Sequence, residues 1–229
     1  DHETVDIAVV VQRMVDSQKS GVMFTSHPST GAPELVIEAA WGLGEAVVSG
    51  AVSPDNYTAD RDGTVQEVTV AEKKVKHVKD PETGETVERA VEEEKRGERV
   101  LTDEEIADLV ELGKRVEDHY GPPQDVEWAI VDGEVFMLQS RPITTIDENA
   151  STESAATNGG QDALVQGLGA SPGMASGPVR IVTQLDQLDK VGNGDIIVTE
   201  MTTPDMVPAM KRAAGIVTDE GGMTSHAAI

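Results

Sequence analysis

The chain contains no cysteine, which excludes disulfides and thiolate-bound metals. Aromatic residues are scarce, with two Trp, two Tyr and two Phe in 229 residues, and Trp41 and Trp128 read as core. Basic residues are few: 18 Lys and Arg stand against 42 Asp and Glu, a net charge of −24. That balance excludes nucleic acid and anionic membrane as partners, because both want a basic surface. No apolar run approaches the roughly 18 residues of a membrane helix, and no signal peptide opens the chain, so a cytoplasmic location is expected. Only nine of the basic residues are Lys. A surface this acidic and this poor in Lys tolerates concentrated salt, where screening weakens self-repulsion, and a halophilic source is expected. At 38% hydrophobic the chain can still bury a core, and its length suits one or two domains.

Hydrophobic patterning divides the chain. Residues 6–15, "DIAVVVQRMV", read as a buried strand, and 20–28, "SGVMFTSHP", as another that ends at a Pro-bearing turn. Residues 33–50 give a strand, a glycine-flanked loop and a short helix. Residues 53–78 alternate around Asp62-Gly63 and read as a hairpin; "PETGE" (81–85) is a turn, and the charge run after it a solvated face. The clearest helix follows. Thr102 caps it, Glu105 completes a capping box, and Gly121 ends it. Ile106, Leu109, Val110, Gly113 and Val116 form its apolar face. Residues 147–162 are small and polar without periodicity, a flexible linker. Beyond it, strands are expected within 167–182, 194–200 and 214–220, and a helix over 203–213 with Pro204 in its first turn.

Two stretches carry chemistry. The first is "QDVEWAIVDGEVFMLQSRPITTI", two strands flanking Asp132-Gly133. Period two sets Asp125, Glu127 and Ala129 on one face; on the return strand Val135, Met137, Gln139 and Arg141 share a face. A two-residue loop would pair Glu127 with Leu138 and scatter the polar groups. A three-residue loop, with Gly133 left-handed, would gather them. Gathered carboxylate, amide and guanidinium suit Mg²⁺ and phosphates; scattered, they make a solvated strand face. The second stretch is "DEGGMTSHAAI", where His226 sits in the first turn of a helix that follows a strand and a glycine turn. Free N–H groups and the positive dipole end favour an anion there. On these grounds alone a surface histidine is an equal reading. His2, His27 and His77 read as terminal, turn and exposed-strand residues, and His119 as an exposed residue of the last helical turn.

"TDEGGMTSHAAI" resembles the phosphohistidine signature of the PEP-utilising enzymes, the group of phosphoenolpyruvate synthase, pyruvate phosphate dikinase and rifampicin phosphotransferase. "GASPGMASGPVRIV" is similar to that family's swivelling domain; "VVVQRMV", "SGVMFTSHPSTG", "AAWGLGEAVVSGAVSPDNY" and "QDVEWAIVDGEVFMLQSRPIT" are similar to the C-terminal part of its ATP-grasp domain. The histidine motif and the 39–57 segment look more like the archaeal-type synthase branch than the dikinase branch. The resemblance implies an α+β to α/β fold: the second lobe of an ATP-grasp domain (1–146), a linker (147–162), and a truncated swivelling β/β/α phosphohistidine domain (163–229). It implies His226 as the phosphorylated nucleophile, Glu127 and Gln139 as Mg²⁺ and phosphate holders, and Asp125 beside the metal. It implies Arg141 on the nucleotide phosphates and Gln12 against the nucleotide, and it favours the three-residue loop. ATP is the implied substrate and pyruvate the second partner, at a site outside this stretch; a homo-oligomer stays open. A dikinase, an antibiotic phosphotransferase, and a phosphocarrier or nucleotide-binding module are the alternatives. The family's first ATP-grasp lobe and its C-terminal barrel have no counterpart in these residues. The chain opens without Met and ends three residues after His226, so it reads as part of something longer.

Overall fold

A computed structural model describes residues 9–143, 164, 165, 167, 169–171 and 173–221. The strands and helices in chain order are β1 (Lys19–Phe24), β2 (Leu35–Trp41), α1 (Glu45–Val48), β3 (Asp55–Ala59), β4 (Val65–Thr69), β5 (Val75–Lys79), β6 (Thr86–Ala90), α2 (Asp103–Tyr120), β7 (Gln124–Val131), β8 (Glu134–Pro142), β9 (Val179–Ile181), β10 (Ile196–Thr199), α3 (Val207–Met210) and β11 (Gly215–Thr218). Six strands form one antiparallel sheet in the order β4-β3-β2-β1-β7-β8. A separate two-stranded sheet is β5-β6, and β9, β10 and β11 form a small parallel sheet with β10 in the middle.

Alternation along the strands sends side chains to two opposite faces, and each has its own core. On one face Met23, Ile37, Tyr57, Val126, Trp128 and Ile130 pack against Ile106, Leu109, Val110 and Val116 of α2. The helix forms where its ends are satisfied: Thr102 accepts from the Glu105 N–H, and the Glu105 carboxylate accepts from the Thr102 N–H at 2.8 Å. Gly121 closes it at φ +92°. All five residues expected on its apolar face are buried. On the opposite face Val22, Phe24, Val36 and Ala40 pack against Ala46 and Val47 of α1. The second unit has its own core of Val182, Val191, Ile197, Met206 and Ala209.

A buried polar hub ties the sheet to the connection leading into α2. Asp55 and Lys73 are fully buried and paired. Asp55 also accepts from the Tyr57 hydroxyl at 2.9 Å, the Ala71 N–H at 2.9 Å and the Val100 N–H at 2.8 Å. An isolated carboxylate could not be buried; this one has its lone pairs filled.

Three expectations about the elements fail. Residues 9–15 form no strand, and Val9, Val10, Val11 and Met14 are exposed. A β-branched run becomes a strand only beside a neighbour, and this one pairs with no described strand. The 53–78 stretch is a hairpin only through β4; β5 leaves the large sheet to pair with β6. The helix expected over 203–213 is a 3-10 turn at Pro204–Met206 running into the single turn of α3. The expected linker, 147–162, lies outside the described residues.

Candidate functional site

The site is built on the β7–β8 hairpin. Its loop is Asp132-Gly133, with Val131 opposite Glu134 and both loop residues at positive φ, +51° and +81°. Two positive φ values define a tight two-residue turn whose twist matches the strands. Gln18 holds that turn from below: its Nε2 donates to Asp132 Oδ1 and its Oε1 accepts from the Asp132 N–H, each at 3.0 Å. The three-residue loop is therefore not used. Glu127 nevertheless stands opposite Gln139, because the register slips by one between Glu127 and Trp128. Met137 pairs with Trp128 and Gln139 with Glu127, so Leu138 is the extra residue of a bulge. The bulge also breaks the expected common face of β8. Val135 packs with the α2-side core. Gln139 and Arg141 pair with Glu127 and Asp125 on the other side.

Opposing residues point to the same side of a sheet. Val22 stands opposite both Glu127 and Glu38, and Glu38 opposite Asn56. A row Asn56–Glu38–Val22–Glu127–Gln139 thus crosses the sheet on the α1 face. Gln139 Nε2 donates to Glu127 Oε1 at 3.1 Å, and Arg141 Nε donates to Asp125 Oδ2 at 2.8 Å. Burial pushes the Glu127 carboxyl above the usual carboxylate range, the charge of Asp125 pushes the same way, and Arg141 opposes both. Asp125 is nearly buried and its charge is answered by Arg141.

Glu127 opens onto a cleft of about 450 Å³. Gln12 and Arg13 line it from the segment before β1, Gly44 and Glu45 from the start of α1, Thr86 from β6, and Leu138 from the bulge. Gln12 and Glu127, separated by more than a hundred residues, meet there; Gln139 joins through Glu127, while Arg141 and Asp125 sit two pairs further along the strands. A second hollow of about 260 Å³, bordered by His27, Glu34, Asn56, Thr58 and Gly169, takes in none of the singled-out residues. His27 there is structural: its Nδ1 accepts from the N–H groups of Ser29 and Thr30.

Among the described residues no group of three His, Cys, Asp or Glu could hold a metal by itself. Glu127 and Gln139 offer hard oxygens on facing positions, and Asp125 adds a carboxylate on the same face. A cation that keeps waters and takes phosphate oxygens fits such a donor set, and Mg²⁺ behaves so. His226 lies outside the described residues. Near the end of the described chain, Gly221 N donates to Ser53 Oγ at 3.4 Å, and Glu220 lies 3.8 Å from Lys74.

Sequence reasoning missed Gln18 and misjudged His77. The His77 side chain is 16% exposed, not on an open strand face, and lies between Glu45 and Glu88. Its surroundings come from the docking of one hairpin on a distant loop, which no local pattern announces.

A protein-family model described as "Pyruvate phosphate dikinase, AMP/ATP-binding domain" matches residues 1–161, and "PEP-utilising enzyme, mobile domain" matches 191–229. The chain is 60% identical over its whole length to a probable phosphoenolpyruvate synthase of Methanothermobacter thermautotrophicus, covering 33% of that protein. It is 57% identical to one of Archaeoglobus fulgidus (30% covered) and 51% identical to the phosphoenolpyruvate synthase of Pyrococcus furiosus (29% covered), again over the whole chain. It spans about a third of the length of these relatives. With an ATP-binding-domain match over most of its residues, a mobile-domain match at its end and a cleft that unites Gln12 with Glu127, the chain belongs to the pyruvate phosphate dikinase ATP-binding family of PEP-utilising enzymes.

Proposed function

We propose that this chain is the part of a phosphoenolpyruvate synthase that binds ATP and carries the phosphohistidine. The observation that carries this reading is the register slip on β7–β8, which sets Glu127 opposite Gln139 at a cleft shared with Gln12. The names of the relatives at 51–60% identity support the same activity. The large sheet with α2 is the second ATP-grasp lobe, and the parallel sheet begins the swivelling domain.

The overall reaction is ATP, pyruvate and water to AMP, phosphoenolpyruvate and phosphate. Gln12 contacts the nucleotide in the cleft. Glu127 and Gln139, with Asp125 beside them, hold Mg²⁺, which when bound offsets charge on the triphosphate. Arg141 grips phosphate in a fork with the guanidinium edge that Asp125 leaves free. The His226 imidazole, neutral, attacks the β-phosphorus as nucleophile, the bond to the α-phosphate oxygen breaks and AMP leaves; water then cleaves the β–γ bond and releases phosphate, and the phosphoryl group left on the ring passes to the enolate oxygen of pyruvate, which frees the imidazole. Pyruvate binds outside this chain.

The test is to incubate the full-length protein with ATP labelled in its β-phosphate. Label is expected on His226 and, on adding pyruvate, in phosphoenolpyruvate, without a requirement for inorganic phosphate. H226N abolishes both. Label that never reaches protein would reduce the chain to a nucleotide-binding module, and a strict phosphate requirement would make it a dikinase.

A further inference from the structure

The β5–β6 hairpin stands apart from the six-stranded sheet, yet it walls the cleft through Thr86. It is held on the cleft loop at one residue. The backbone oxygen of His77 accepts from the Leu43 N–H at 2.8 Å, and Gly42 and His77 form an isolated bridge. A Cβ on Gly42, at φ +85°, would lie 2.3 Å from that same oxygen, so only glycine allows the approach. The ring of His77 lies in the seam. Nδ1 is 4.0 Å from Glu45 Oε2 on α1, and Nε2 is 4.0 Å from Glu88 Oε2, its cross-strand partner on β6. Nδ1 is buried and has no hydrogen-bond partner among the described residues.

A neutral imidazole carries one N–H and can serve one of two flanking carboxylates. An imidazolium carries two and serves both. Other charges around the ring are already engaged. Lys76 on β5 donates to Glu92, and Glu38, the charged residue of β2, accepts from Asn56. We propose that His77 is a proton-operated clamp: on taking up a proton it draws Glu45 and Glu88 onto its two nitrogens and fastens the β5–β6 hairpin over the nucleotide cleft. This deepens the ATP-site reading, and rests on it only for the effect on ATP. Closing the clamp also offsets the Glu45 charge at the cleft wall, which favours a polyanionic ligand.

The test compares the full-length protein with H77Q, which keeps a donor but cannot take a charge, and with E88Q, which removes one jaw. On lowering the pH from about 8 to about 6, the wild-type KM for ATP is expected to fall roughly threefold to tenfold relative to H77Q, the range that two ion pairs with largely exposed carboxylates supply. kcat stays level. The ratio to H77Q cancels the titration of ATP itself. E88Q is expected to show an intermediate ratio. Hydrogen exchange of β5–β6 amides in nucleotide-free protein, corrected for intrinsic rates, should gain roughly threefold protection at the lower pH in wild type and none in H77Q. Parallel wild-type and H77Q profiles in both measurements overturn the clamp. If the wild-type protein handles no ATP, the proposed function falls and the exchange result decides the clamp alone.

Discussion

Replacing Glu127 by Gln should separate what the site costs the fold from what it does. The carboxylate is held on the α1 face two residues from Asp125, about 7 Å along the strand. Two like charges at that spacing repel by about 0.6 kcal/mol in water and about 2.4 kcal/mol at an effective dielectric near 20. Arg141, bonded to Asp125, removes part of this. Burial and repulsion both raise the Glu127 carboxyl. A raised acid favours the fold while protonated; that contribution is full below the ordinary carboxylate range and is lost as pH rises through the folded-state value. E127Q is therefore expected to stabilise the protein at pH 7 by about 1 kcal/mol, or about 0.5 M in the urea midpoint, and to give no gain near pH 3. The amide keeps its pairing with Gln139. On the proposed function, phosphoryl transfer from ATP should fall by about 10²-fold or more, because one of the oxygens assigned to the metal is gone. A lowered urea midpoint at pH 7 would refute the reasoning, as would intact labelling of the protein by ATP.

Two further outcomes follow from an ion pair in each of the two units. K73M leaves the buried Asp55 carboxylate without its cation and should cost about 3–5 kcal/mol in urea unfolding; a loss under about 1 kcal/mol would show that Tyr57, Ala71 and Val100 satisfy Asp55 without it. In the second unit Asp195 accepts from Arg180 Nε and the Gly192 N–H, each at 2.8 Å, which holds its carboxyl below the usual range. Its contribution is present above the ordinary carboxylate range and lost as pH falls through the depressed value, so D195N should lower the melting temperature at pH 7 and leave it unchanged at the acid end; an equal deficit at every pH would mean packing, not charge.

Elements whose signal is local were legible. The α2 helix declares itself through Thr102, Glu105, Gly121 and a period of 3.6, and all of these hold. The strands at 19–24, 35–41, 124–131 and 134–142 follow their apolar runs, because those runs find neighbours in one sheet. Residues 9–14 have as strong a β signal as any of them, yet they are exposed and pair with no described strand. The strand at 75–79 reads as the tail of the previous hairpin, yet Lys73, drawn into the Asp55 hub, turns the chain away before it can pair there. Pairing is a property of two segments, and a single segment announces only its half.

The polar residues of β7 and β8 could be picked out from the sequence, but not the geometry in which they meet. Asp-Gly between alternating runs calls for a two-residue turn, and the turn is one. By strict alternation that turn sets Glu127 against Leu138, which is why convergence was expected to need a longer loop. The hairpin keeps the turn, locked by Gln18, and places the odd residue inside the strand instead. Leu138 is partly buried at the cleft wall, so the residue that the ladder cannot pair still has an apolar place to go. The bulge therefore serves two needs that alternation sets against each other. Val135 stays with the α2 core, and Gln139 and Arg141 turn to the carboxylates on the other side. A strand that is core at one end and faces the Glu127 side at the other has to use one residue to change sides, and that residue is Leu138.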